Sequence, residues 1–216
     1  MVDWPILFAG LIALVPGLLV LLYSFAPYDG HFRDNILFLF FMGGLFAGMA
    51  VVVFEILLLL PPDPLYRIGM VLLGIPLMEQ LLKLLALNRK KHQGGRETAF
   101  FGGSFAVGFA SMVVLFKAQR DIPMLMYQSP GALLADPSHA LYLLVVGSSV
   151  MLAHFATGLL IGDGVRTRRL AHPLLLAVLA LVPVQFLAFE FSANLQAGRP
   201  LRVRTCLLYT SPSPRD

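Results

Sequence analysis

Six apolar runs divide this chain: Trp4–Phe25, Ile36–Leu60, Tyr66–Leu87, Thr98–Phe116, His139–Ile161 and Pro173–Phe191. Each is long enough to cross a hydrocarbon layer of about 30 Å as a helix. In such a layer every backbone N–H and C=O must find its partner within the segment, which leaves the helix as the form for runs of this kind. Over 216 residues, 58% hydrophobic and 13% charged, the composition excludes an ordinary soluble domain. The expected fold is all-α, a polytopic membrane protein of about six transmembrane helices forming one domain over residues 1–205. Trp4 and Tyr23 stand near the ends of the first run, where amphipathic rings favour the interface. That run lacks a small-residue cleavage site and reads as an uncleaved signal anchor.

The last eleven residues, CLLYTSPSPRD from Cys206 to Asp216, do not resemble what precedes them. Back-translated, they read through the end of a transposase sequencing adapter. They are therefore expected to be an assembly artefact, with the native chain continuing past Thr205. Setting them aside removes the only cysteine, and with it any disulfide, thiol nucleophile or thiolate ligand.

Between the runs lie polar connections rich in Pro and Gly, which end helices. Basic residues gather in two of them: Arg89, Lys90, Lys91 and Arg96, then Arg166, Arg168 and Arg169. By the positive-inside rule, loops 88–97 and 162–172 are expected to face the cytoplasm, with the N-terminus outside. Alternation then sends Arg199, Arg202 and Arg204 outside against their charge. The net charge of +4 comes largely from these loops, so it indicates topology and a lipid bilayer as partner rather than nucleic acid.

Small residues recur one turn apart on two runs. Gly44 and Gly48 mark the second, while Gly102, Ala106 and Ala110, beside Ser104 and Gly108, mark the fourth. Such stripes let backbones approach closely, either for packing within the protein or as a groove for a transmembrane segment of a partner.

Ionisable groups cost several kcal/mol in lipid unless paired or hydrated, so each one inside a run is a candidate site. Glu55, Glu79, Lys83, His154 and Glu190, with Gln80 and Gln185, make up nearly the whole set. Glu79 lies eight residues before Leu87 and His154 eight before Gly162, so both sit about 12 Å in from the same boundary and can meet. Glu55 and Glu190 approach the opposite ends of their runs. Glu79 and Lys83 are spaced i to i+4, so an ion pair with Lys83 extended toward the headgroups is the alternative to a chemical role.

Taken together, three blocks resemble the PrsW-type intramembrane proteases. MEQLLKLLAL is similar to the family's Glu-Glu-x-x-Lys helix, with Glu79 at the first Glu, Gln80 in place of the second and Lys83 at the Lys. FGGSFAVGFASMVV resembles the family's glycine-rich helix, matching at Phe101, Gly102, Gly108, Phe109 and Ala110, with Val113 and Val114 where a Glu and an Asn are expected. HFATGLLIG, from His154 to Gly162, is similar to a His-led helix ending in Gly. The likeness covers roughly residues 66 to 165 and implies a prokaryotic cell membrane protein in which carboxylates and a histidine activate water, or hold a metal, beside a substrate helix.

Hydrolysis of a peptide needs a group that takes water's proton and donors for the oxyanion. Of the implied set, Glu79 as base and His154 as its partner remain, supported by Gln80 and Lys83. No cofactor is expected, because Glu79 and His154 alone would leave a divalent metal short of the three protein ligands usual for catalytic zinc. Rival signatures fail: Ser104 lacks the following Gly of a rhomboid-like site, and Asp163 lacks the first Gly of a presenilin-like one. The leading reading is a PrsW-like pseudo-protease that binds transmembrane segments without cutting them. The alternatives are an active intramembrane protease using Glu79 and His154, and a small ion-coupled transporter using Glu79, Lys83 and His154 as a relay.

Overall fold

The computed structural model describes residues 4–28, 34–59, 63–128 and 137–196. The segment Cys206–Asp216 and the arginines at 199, 202 and 204 lie outside the described residues, as does the side chain of Trp4. Seven α-helices account for most of what is described: α1 Trp4–Phe25, α2 Asp34–Leu58, α3 Pro64–Gly69, α4 Ile75–Leu87, α5 Thr98–Gln128, α6 Pro137–Thr167 and α7 Ala171–Gln196. A π-helical turn, Met70–Gly74, joins α3 to α4 into one continuous segment. Six segments are long and apolar enough to cross a membrane, and the chain is an all-α polytopic protein.

The centre of the bundle is α5. Of its apolar window 72% is buried, against 28–39% for the other five spans. It packs against α2 on one side, α6 on another and α1 on a third, while α4 and α7 close over α6. Small residues make this possible. A Cβ on Gly44 would run into the carbonyl of Phe105, and one on Gly108 into the carbonyl of Phe41, so α2 and α5 touch backbone to backbone. Gly102 and Gly158 meet in the same way between α5 and α6. Buried Ser104 adds a hydrogen bond across the first contact, its Oγ donating to the Leu37 carbonyl at 2.7 Å. Outward, Leu22, Phe46, Leu85 and Leu187 are exposed, an apolar surface suited to lipid.

Three boundaries differ from the sequence expectation. The third run was expected as one helix over Tyr66–Leu87, and its span is Leu65–Leu87, but it widens in the middle. Pro76 sits in the first turn of α4 and has no N–H to offer the preceding turn. The chain accommodates this by an i to i+5 bond, from the Ile75 N–H to the Met70 carbonyl. Upstream, Asp63 caps α3 by accepting from the Leu65 and Tyr66 N–H groups at 2.8 and 3.1 Å.

The fourth run does not stop at Phe116. Its helix continues to Gln128, past Pro123, and Lys117, Ala118, Gln119 and Arg120 all tolerate helical backbone. Lys117, expected in a loop, therefore lies on α5. Residues 162 to 167, expected at the start of a loop, are still in α6: Gly162 and Gly164 pack against neighbouring chain, and Asp163 pairs with Arg166 one turn on. The helix ends at Arg168, whose φ of +57° turns the backbone so that the Arg169 N–H reaches the Gly164 carbonyl.

The α5–α6 contact predicts that Gly102→Leu destabilises the bundle by about 1–3 kcal/mol, read as a lower unfolding temperature in detergent. Gly10→Ala, where an added Cβ meets nothing within 4 Å, should be neutral or stabilising by up to ~1 kcal/mol.

Candidate functional site

The inward face of α4 carries the polar residues. Glu79, Gln80, Lys83 and Leu87 are buried, while Leu77, Leu81 and Leu85 face outward, as the 3.6-residue period requires. Glu79, Gln80, Lys83 and His154 are wholly buried and come together between α4, α6 and α7.

As an ammonium, Lys83 has three donors, and three acceptors surround it. These are Gln80 Oε1 at 3.3 Å, Thr157 Oγ1 at 3.0 Å and His154 Nδ1 at 3.0 Å. Thr157 spends its own proton on the His154 carbonyl at 2.9 Å, leaving its lone pairs toward Lys83. With Nδ1 of a neutral His154 accepting from Lys83, the ring proton belongs on Nε2. Below this group lies Phe109, its ring stacked on His154 at 5.3 Å between centroids and 5.5 Å from the Lys83 nitrogen.

Glu79 faces the other way, toward α7. Both its oxygens accept from Gln185 Nε2, at 3.1 and 3.0 Å. Gln185 Oε1 in turn accepts from Lys117 Nζ at 3.1 Å. Because Lys117 can only donate, the orientation of this amide is determined by its neighbours. Between the two halves, His154 Nε2 stands 3.9 Å from Glu79 Oε2, beyond hydrogen-bond range. His154 Nε2 and Gln80 Nε2 are buried without a hydrogen-bond partner.

The depth count thus places Glu79 and His154 as the structure does, side by side. An ion pair between Glu79 and Lys83 with Lys83 extended to the headgroups is not what forms. Lys83 is wholly buried and its bonds go to Gln80, His154 and Thr157. The carboxylate has turned to Gln185, whose amide gives it two bonds that would otherwise be unmade in an apolar interior.

The small residues of α5 all lie inside the bundle. Gly102 and Ala106 meet Gly158 of α6, Gly108 meets α2, and Ala110 joins an apolar cluster with Ala9 and Ala13 of α1. Their faces are used in packing, so no groove runs along this stripe. Val113 and Val114 are buried as well, the first among Val51, Val52, Phe105 and Phe109, the second beside Ala9 and Val150. The residue of α5 level with His154 is Phe109, one turn before Val113. Asp163 pairs with exposed Arg166, remote from any acid–base partner of the cluster. Among the described residues, no three His, Cys, Asp or Glu side chains converge as a metal site would require.

Two participants escaped the sequence reading. Thr157 lies one turn after His154 on the same face, a spacing that could have flagged it. Lys117 lies one residue past the drawn end of its run, and no local signal joined it to Gln185. Comparison with known protein families, with curated proteins and with solved structures finds no match.

If the Gln185–Glu79 contact is what satisfies the buried carboxylate, Glu79→Leu and Gln185→Leu should be non-additive. Each single change is expected to cost about 1–3 kcal/mol, and the double change less than their sum by roughly 0.5–3 kcal/mol. A double-mutant cycle by detergent unfolding measures this, and strict additivity would dissociate the two residues.

Proposed function

We propose that this chain is a PrsW-like integral membrane protein that holds transmembrane segments of partner proteins without hydrolysing them. The observation that supports this reading is that the Glu79 carboxylate and the Lys83 ammonium are both engaged by neighbouring side chains. Both oxygens of the only carboxylate in the cluster are held by Gln185, and the three donors of Lys83 are taken up by Gln80, His154 and Thr157. A general base must turn an oxygen toward the attacking water, whereas this carboxylate is turned to Gln185. At the positions where the resemblance expects a second carboxylate and an amide, Val113 and Val114 offer neither. In this reading the cluster is a polar tie that fixes α4 against α6 and α7, and recognition lies on the lipid-facing surface. The proposed setting is a prokaryotic cell membrane with the basic loop 88–97 and the connection after α6 on the cytoplasmic side.

One observation favours a second reading, intramembrane hydrolysis with Glu79 as base and His154 as donor. The two side chains are 3.9 Å apart, and His154 Nε2 has no partner. A small rotation would bring them into contact around a substrate carbonyl.

The two readings separate in one experiment. The purified chain is reconstituted with single-span membrane proteins carrying a photo-crosslinker, and adducts and fragments are followed by mass spectrometry. Adducts without fragments, in equal yield from the unaltered chain and from Glu79→Gln, are expected. Fragments that disappear in Glu79→Gln and in His154→Gln would establish the protease instead.

A further inference from the structure

At the end of the bundle that carries loop 88–97, α2 and α4 stand apart over the first turns of α5 and leave a cavity of about 540 Å³. Its walls are hydrocarbon: Ile36, Phe40 and Gly43 from α2, Ala86 from α4, Phe101 and Phe105 from α5. Leu39 forms part of the rim and is 65% exposed, so the cavity communicates with the outer surface of the bundle. At the opposite side it meets Arg89, His92 and Glu97. One space therefore joins an apolar interior, a lipid-facing opening and a charged edge.

The charged edge is held in place. After α4 ends, the Arg89 N–H returns to the Leu87 carbonyl at 2.8 Å, and a 3₁₀ turn over Lys90–His92 follows, with the His92 N–H on the Arg89 carbonyl at 2.8 Å. Gly94 supplies the left-handed conformation, φ +81°, that brings the chain back toward α5. The buried His92 ring stands edge-on to Phe40 and Phe101, which stack on each other at 4.8 Å. Buried Thr98 adds a bond from its hydroxyl to the His92 carbonyl. Arg89 is thereby fixed at the mouth while its side chain stays exposed.

Arg166, in the other basic region, has Asp163. Among the described residues the Arg89 guanidinium has no anion paired with it, although Glu97 lines the same cavity. Against that one carboxylate the segment 88–97 carries Arg89, Lys90, Lys91 and Arg96. A basic edge over an apolar cavity at a membrane boundary is complementary to a molecule with an anionic head and a hydrocarbon tail.

We infer that this cavity binds an anionic phospholipid, with its phosphate on Arg89 and Lys90 and one acyl chain lying between α2 and α4 against Phe40 and Phe105. Free phosphate would use the edge and leave the apolar walls without a role. A zwitterionic lipid would bring its own cation toward Arg89. The site is separate from the Glu79 cluster and does not depend on what that cluster does.

The test is native mass spectrometry of the full chain released from detergent after adding phosphatidylglycerol or phosphatidylcholine. One phosphatidylglycerol should be retained in preference to phosphatidylcholine by roughly fivefold or more, and Arg89→Gln should reduce that preference by a similar factor. Gly43→Leu should abolish retention by filling the cavity. A Cβ there meets only the Phe105 ring, at 3.7 Å, so the substitution is accommodated without backbone strain. Arg169→Gln, on an exposed residue of the other basic region, should change nothing. Equal retention of the two lipids, or retention unaffected by both Arg89→Gln and Gly43→Leu, would overturn the assignment. So would displacement of the lipid by glycerol phosphate at equal concentration, which would reduce the site to one for free phosphate.

Discussion

A lysine wholly buried in an apolar bundle must find three acceptors or not be charged, and this requirement organises the helices around it. Lys83 meets one acceptor on its own helix and two on α6. Those two, His154 Nδ1 and Thr157 Oγ1, are a turn apart, so the ammonium reads both the height and the rotation of α6 against α4. A slip by one turn would leave it short of partners, at a cost of several kcal/mol in such surroundings. The protonation of His154 follows from the same contact, and with it the direction in which Nε2 faces Glu79. The carboxylate then needs donors of its own and takes them from α7.

Association of helices in lipid gains little from the hydrophobic effect, because the tails are as apolar as the side chains. Here the ties are of two kinds placed on different helices. Around α5 they are steric, made by glycines that admit a neighbouring backbone at the α2 and α6 contacts. Around α4 they are polar, since α4 presents no glycine or alanine stripe to its neighbours and relies on side chains reaching across. The two systems meet at Phe109, which packs in the apolar cluster of α2 and α5 and also stacks on His154.

Much of this could be read from the residues. Hydropathy marked all six spans, and counting 1.5 Å per residue from the basic loops put Glu79 and His154 at one depth, where they do meet. Partner choice was harder. Spacing pointed Glu79 to Lys83, but i to i+4 proximity is only permission. Which way each side chain turns depends on what the facing helices offer, and Gln185 lies 106 residues away in sequence. Lys117 was lost for a different reason. Its charge marked the end of an apolar run, whereas the backbone obeys helix propensity and continues, so the edge of hydropathy and the end of the helix fell in different places. The glycines of α5 were visible as a stripe, but their partners were not, since a stripe does not say whether another chain or the same one lies against it.

The π turn at Met70–Gly74 carries one residue more than an α-helical turn would hold. That additional residue sets the azimuth of everything after it. Closing the turn to ordinary α geometry while keeping that residue would rotate α4 by about 100° relative to α3. Glu79, Gln80 and Lys83 would swing toward the acyl chains, and a leucine face would enter the bundle in their place. The charged interior is thus set from outside it, by one surplus peptide unit ahead of Pro76.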